Sequence, residues 1–222
     1  MATKLEFAGY KALLYALVII LLVFPALQNF AYLGLTAGVV LAGVLFVAVR
    51  AVANRRWQVV VSGFLGTAAT IGYFGNLLGL GAAFQLGGQL GFALFFLFVG
   101  IIIMTNIMLH IRHVTSELIY GSINVYLLVG LAFAFMHALV EFIQPGSISG
   151  LESLSMGDSG IMPFIYYSFV TMTTLGYGDL SPVTGPAASV AYVEAIFGQL
   201  YIAIMIARLM GLYVASETSQ GQ

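Results

Sequence analysis

Apolar residues run through this chain in long blocks, and polar residues fall mostly between them. A helix that crosses a bilayer needs about 20 largely apolar residues. Six blocks are candidates: Tyr10 to Gln28, Ala31 to Val49, Gln58 to Phe74, about Gly87 to Ile111, Leu118 to Ile143 and Ala187 to Leu212. A seventh, Met162 to Met172, is much shorter and predicts a helix that enters the membrane without crossing it. The breaks between blocks have their own chemistry. Arg50 to Trp57 is a basic turn, Gly75 to Gly81 a glycine-rich loop, and 144–160 a Ser- and Gly-rich loop opened by Pro145-Gly146-Ser147. The first block is long, carries Pro25 near its outer end and is followed by no cleavage-site pattern, so it reads as a span and not as a signal peptide. The pattern predicts an all-α integral membrane protein with six transmembrane helices and one re-entrant helix. A short polar tail, residues 215–222, is expected on the cytoplasmic side.

Composition agrees: 61% of residues are hydrophobic and 7% charged, where a soluble domain has about 25% charged. A net charge of −1 argues against nucleic acid as a partner, and the absence of cysteine removes disulfide and thiol chemistry. The seven basic residues are Lys4, Lys11, Arg50, Arg55, Arg56, Arg112 and Arg208. With six spans and a cytoplasmic N-terminus, every one falls at a cytoplasmic end or loop, as the positive-inside rule requires. Both termini are then cytoplasmic, and Glu141, Glu152, Asp158 and Asp179 lie outside. Acids gathered at an entrance concentrate cations there.

Few residues carry chemistry. No combination of nucleophile, base and metal ligands is present, so an enzyme is not expected. His110 and His113 have no carboxylate near them before Glu117 and read as an interfacial pair. His137 stands four residues before Glu141, where the two can meet on one helix face. Glu194 lies inside the last apolar block, between Val193 and Ala195. An ionisable group at membrane depth is costly and is a functional candidate on that ground. Ser168, Thr171 or a tyrosine is the expected partner; Glu194 then braces the segment before it or senses pH.

The most specific stretch is Thr173-Thr174-Leu175-Gly176-Tyr177-Gly178-Asp179, directly after the short helix. Glycines on either side of Tyr177 allow backbone dihedrals closed to other residues. Left-handed Gly176 and Gly178 between neighbours of the other hand would turn successive carbonyls to one side. This stretch resembles the selectivity filter of the potassium-channel pore family, in which rings of carbonyls replace an ion's hydration shell. The resemblance extends to Phe164–Met172 as an aromatic-rich pore helix, to Asp179–Thr184 as the outer mouth, and to Gly198 as an inner-helix hinge. It covers roughly residues 118–214, with Leu175 where the family usually has valine.

The resemblance implies a homotetramer in the inner or plasma membrane, with the filter at the outer face and passive potassium permeation. Potassium is the permeant ion and no cofactor is implied. The ions would be held by Thr174, Leu175, Gly176 and Tyr177, with Gly178 letting the chain leave. Thr173, Asp179, Tyr166 and Tyr167 would support the filter, with Tyr177 packed behind it against the two tyrosines. Residues 114–214 form the pore domain: outer helix 118–143, pore helix 162–172, filter 173–179 and inner helix 187–212. Residues 1–113 hold the position of a voltage sensor, but the fourth block has no arginine array, and one gating charge is worth only about 2.3 kcal/mol per 100 mV. Gly63, Gly66, Gly75, Gly79, Gly81, Gly87, Gly88 and Gly91 suit close helix packing instead. The short tail leaves no space for a soluble ligand domain, so the gate is expected within the membrane.

On the inner helix, Gln199, Ile202, Ile206 and Met210 share one stripe, expected to face the cavity and to narrow it at Ile206 and Met210. Glu194, five residues before Gln199, is about 140° away and faces elsewhere. Arg208 is expected to reach the inner interface, with Glu117 as its partner. Two other functions fit the pattern less well. One is a less selective monovalent cation channel. The other is a potassium transporter subunit, which would ordinarily show paired broken helices in two related halves; only one re-entrant segment is seen.

Overall fold

A computed structural model of the chain describes residues 2–26, 33–51, 55–110, 114–153 and 160–220. Seven α-helices occupy most of them: α1 (Ala2–Ala26), α2 (Leu33–Ala51), α3 (Arg56–Leu77), α4 (Ala82–His110), α5 (Ser116–Ile143), α6 (Met162–Met172) and α7 (Gly185–Gln220). Three of these are long and apolar enough to cross a membrane: Ala82–Leu109, Ser116–Ile143 and Gly185–Ala215. Gly9–Leu22 in α1 and Gly38–Ala51 in α2 are shorter apolar stretches, and α3, with 22 residues, is long enough but is not among the helices apolar enough. The helical membrane architecture stands on these three helices; a count of six spans does not follow from them.

The boundaries differ from the hydropathy blocks in instructive ways. α3 continues through Gly75 to Leu77, so the expected Gly75–Gly81 loop is only a turn at Leu78–Gly81, with positive φ at Gly79 (71°) and Gly81 (112°). Gly75 lies inside α3 with Phe84 packed on it: a Cβ there would lie 2.1 Å from the ring. α4 accordingly begins at Ala82, earlier than expected. α7 runs to Gln220, so the tail expected at 215–222 is helical through Gln220. The fold is also not purely helical. A two-residue antiparallel ladder pairs β1 (Ile148–Ser149) with β2 (Ser181–Pro182), in the register Ile148↔Pro182 and Ser149↔Ser181.

α5 is the hub, packed against α1, α4, α6 and α7. Its contact with α4 is extensive and aromatic: Phe92 stacks on Phe135 with ring centroids 4.7 Å apart, and Phe96 and Phe95 continue the cluster. α3 meets α4 through a backbone-to-backbone crossing. A Cβ on Gly72 would lie 2.4 Å from the Gly88 nitrogen, and one on Gly91 would lie 2.9 Å from the Ala69 Cα. Small residues let apolar helices approach until their backbones touch, and here dispersion contacts replace the hydrophobic drive that lipid does not supply. α1 is tied to α5 by the Asn124 side chain, which donates to the Tyr10 carbonyl at 2.7 Å.

Candidate ion-conduction site

The site is built at the C-terminal end of α6. Pro163, near the helix start, suits a position whose N–H has no helical partner. Eleven residues on, the helix closes with two back-bonds: Thr174 N–H donates to the Thr171 carbonyl at 2.9 Å and Leu175 N–H to the Val170 carbonyl at 3.0 Å. This is the Schellman pattern, which needs a left-handed residue at the first position beyond the cap and usually takes glycine there. Here that residue is Thr174, with φ of 58°, and no other non-glycine residue described has a positive φ. A β-branched side chain in this region is strained, and such strain persists only where the surroundings enforce it. Thr173 adds to the closure, its hydroxyl donating to the Phe169 carbonyl at 2.6 Å.

From Thr174 the backbone alternates in hand. Thr174, Gly176 and Gly178 have φ of 58°, 52° and 80°, while Leu175 and Tyr177 between them do not have positive φ. A chain whose residues alternate between the two hands turns successive peptide carbonyls to the same side. The alternation begins one residue earlier than the glycines alone predict. All seven residues from Thr173 to Asp179 are exposed in the single chain, so the face they present is not covered by their own protomer.

The exit from this stretch is anchored at Asp179. Tyr166 donates its hydroxyl to the Asp179 carboxylate at 2.6 Å. That bond holds the Asp179 carboxyl below its ordinary range and pushes the Tyr166 phenol up to about 12. The β1–β2 ladder follows, and Val183 N–H donates to the Ser147 carbonyl at 2.9 Å. Gly150, with φ of 90°, lies so close to the Asp179 carbonyl that a Cβ would stand 1.9 Å from the oxygen. Glu141 closes the same corner, accepting from Gly146 N–H at 2.6 Å and Ile148 N–H at 2.9 Å.

Glu141 is thus a loop clamp, and the expected His137–Glu141 pair does not form. His137 turns instead to Glu194, its Nε2 lying 2.8 Å from the carboxylate, with both side chains fully buried. Ser168 bridges the Glu194 carboxyl and the Gly130 carbonyl, the latter at 2.7 Å. One hydroxyl proton cannot serve both oxygens, so the serine either donates to the carboxylate or accepts from the carboxylic acid. Tyr167 packs edge-on against the His137 ring at 4.6 Å. It therefore packs on this cluster, while Tyr177 is 66% exposed in the single chain. His137 of α5, Tyr167 and Ser168 of α6 and Glu194 of α7 meet here. The signal for His137 was available: it is the one ionisable residue between Glu117 and Glu141 apart from two tyrosines, and a buried acid needs a polar partner.

The remaining expected residues fall on α7. Gln199, Ile202, Ile206 and Met210 are all exposed along one side, away from buried Glu194, Tyr201 and Met205. Gln199 lies 3.4 Å from the Thr174 hydroxyl, its amide donating there. Gly198 is where α7 touches the end of α6: a Cβ would lie 2.2 Å from the Met172 carbonyl oxygen. Arg208 does not pair with Glu117; it donates to the carbonyls of Ile107 at 2.7 Å and Met108 at 3.1 Å, at the end of α4. A cation there meets the free carbonyls of a helix C-terminus. Arg112, His113 and Asp158 lie outside the described residues. Among the described residues no cluster of His, Asp or Glu is suited to a metal ion.

The site is thus a short helix ending in a stretch of alternating hand, held between two long apolar helices, α5 and α7. Comparison with known proteins bears on its class: a family model described as "Ion channel" (Ion_trans_2) matches residues 123–215, which include most of α5, all of α6 and α7 to Ala215. The match supports an ion channel in the membrane and points away from an enzyme. Neither the curated proteins nor the solved structures compared with this chain gave a match.

Proposed function

We propose that this chain is one subunit of a homotetrameric potassium-selective channel, in which four copies of Thr173–Asp179 surround a central pathway. The alternating hand of Thr174, Gly176 and Gly178 carries this reading, because it aligns consecutive carbonyls as ligands for a dehydrated cation. Thr174, Leu175, Gly176 and Tyr177 supply the oxygens and Gly178 the exit. One loop per chain cannot encircle an ion, and the exposure of the whole stretch is what a ring of neighbouring copies would cover. In this reading the chain crosses the membrane six times with both termini cytoplasmic, and the filter lies at the outer face. Below it, the exposed stripe of Gln199, Ile202, Ile206 and Met210 lines the cavity, and Ile206 with Met210 forms the narrowing. The His137–Glu194–Ser168 unit braces the pore helix from behind and gives opening a dependence on pH.

The test is reconstitution into liposomes with a potassium gradient, with sodium as the competing ion and barium as the blocker. Barium-sensitive potassium flux far above sodium flux is the expected result. Equal fluxes of the two ions would overturn selectivity, and a solution mass of one chain in gentle detergent would overturn the tetramer.

A further inference from the structure

We propose that the groove between α2 and α3 is a binding site for one anionic phospholipid, its acyl chain in the groove and its phosphate on Arg50, Arg55 and Arg56. This goes beyond the channel reading and needs only that the protein sits in a bilayer. The groove has a volume of about 430 Å³ and is lined by Leu45, Phe46 and Val49 of α2 and by Gly63, Gly66 and Ile71 of α3, among others. Its floor is glycine: a Cβ on Gly63 would meet nothing within 4 Å. Three hydroxyls also line it, but each is already spent on its own helix. Ser62 donates to the Gln58 carbonyl at 2.6 Å, Thr67 to Gly63 at 2.9 Å and Thr70 to Gly66 at 2.8 Å. What remains is chemically apolar and open, and between Ser62 and Ile71 it extends about 14 Å at the helical rise, a span suited to an acyl chain.

Charge at one end decides the headgroup. Arg50 closes α2, and Arg55 and Arg56 open α3, so all three stand at the same end of the groove. All three are exposed, and none forms an ion pair among the described residues. The Arg50 guanidinium lies over the ring of Phe46, 5.8 Å from its centroid, and that ring also lines the groove. Headgroup site and chain site are therefore continuous. The start of α3 adds the partial positive charge of a helix N-terminus. Trp57, 52% exposed and next to Arg56, marks the interfacial level at which headgroups sit. A neutral zwitterionic lipid would fill the same groove but would leave this cluster of positive charge unmatched.

The experiment embeds the full chain in nanodiscs of phosphatidylglycerol and phosphatidylcholine in equal parts and identifies retained lipid by native mass spectrometry. The expected result is one tightly held lipid per chain, strongly enriched in phosphatidylglycerol. Each arginine near an anionic headgroup is worth roughly fivefold in affinity. Arg50→Gln alone should therefore cut the preference about fivefold, and the triple Arg50→Gln, Arg55→Gln, Arg56→Gln variant should return it to the bulk ratio while lipid is still held. Gly63→Leu, which fills open space, should expel the lipid whatever its headgroup. Retained lipid of bulk composition in the unmodified chain, or a full preference surviving in the arginine variants, would overturn the headgroup assignment. Lipid still held by Gly63→Leu would overturn the groove. No retained lipid, together with loss of assembly in Gly63→Leu, would make the groove a contact between copies and overturn the proposal.

Discussion

Replacing Gly198 by alanine separates packing from bending at the point where α7 meets α6. In a free helix the change is favourable by about 0.5–1 kcal/mol, because alanine loses less backbone freedom than glycine. Here the new methyl would stand 2.2 Å from the Met172 carbonyl oxygen and 3.0 Å from that residue's carbonyl carbon and Cγ. Ordinary contact begins near 3.4 Å, so the two backbones must separate by roughly 1.2 Å. Overpacking of this kind costs about 1–3 kcal/mol, enough to reverse the sign. Met172 is the last residue of α6, and the Schellman closure that sets the hand of Thr174 follows at once. The displacement therefore reaches Thr174 and the stretch proposed as the filter. Gly198→Ala is expected to lower the thermal denaturation midpoint in detergent and to reduce the potassium-to-sodium flux ratio together. A bending glycine predicts otherwise: opening would fall while stability rose and selectivity held. Gly198→Ala with unchanged stability and unchanged selectivity would refute the packing argument.

Three other outcomes follow from the same geometry. Removing one partner of a buried pair leaves the other uncompensated at a cost of about 3–5 kcal/mol, so Glu194→Ala and His137→Ala should each destabilise strongly. The double variant should cost less than their sum, as read by a double-mutant cycle, and Glu194→Gln with unaltered pH dependence of flux would dismiss proton sensing at this acid. The Tyr166–Asp179 bond lowers the Asp179 pKa and raises that of Tyr166 to about 12. Its contribution is complete between the ordinary aspartate value, about 3.9, and the ordinary tyrosine value, about 10. It is lost as pH falls through the depressed aspartate pKa or rises through about 12; Tyr166→Phe should move Asp179 back towards its ordinary value by carboxyl NMR titration. Gly150→Ala places a methyl 1.9 Å from the Asp179 oxygen at a φ of 90°. It should cost at least about 1–3 kcal/mol and loosen the β1–β2 ladder, seen as faster hydrogen exchange at Val183.

The sequence was most legible where a local rule acts alone. α6 is observed over the predicted Met162–Met172 because an apolar run is bounded by a proline near its start and by polar, glycine-rich chain beyond it. α7 overran its predicted end because apolarity stops at Leu212 while helical hydrogen bonding does not. The residues after Gly211 include neither proline nor another glycine before Gly221, so nothing breaks the backbone pattern. Thr174 was not legible as left-handed, since a β-branched residue is the last to be expected there and only the closure of α6 demands it. The partners of His137 and Arg208 were misassigned for a common reason. Spacing along one helix offered Glu141 to His137, and proximity to one interface offered Glu117 to Arg208. The observed partners lie 57 and about 100 residues away, brought near by packing that a single chain's pattern does not encode.

The bonds of Arg208 to Ile107 and Met108 also bear on which movements are left to the molecule. Sliding α7 along α4 by a helical turn, about 5.4 Å, would carry the guanidinium away from both carbonyls. Tilting preserves the bonds. That end of α4 therefore acts as a pivot, and α7 is a lever whose far arm carries Gly198 and Glu194.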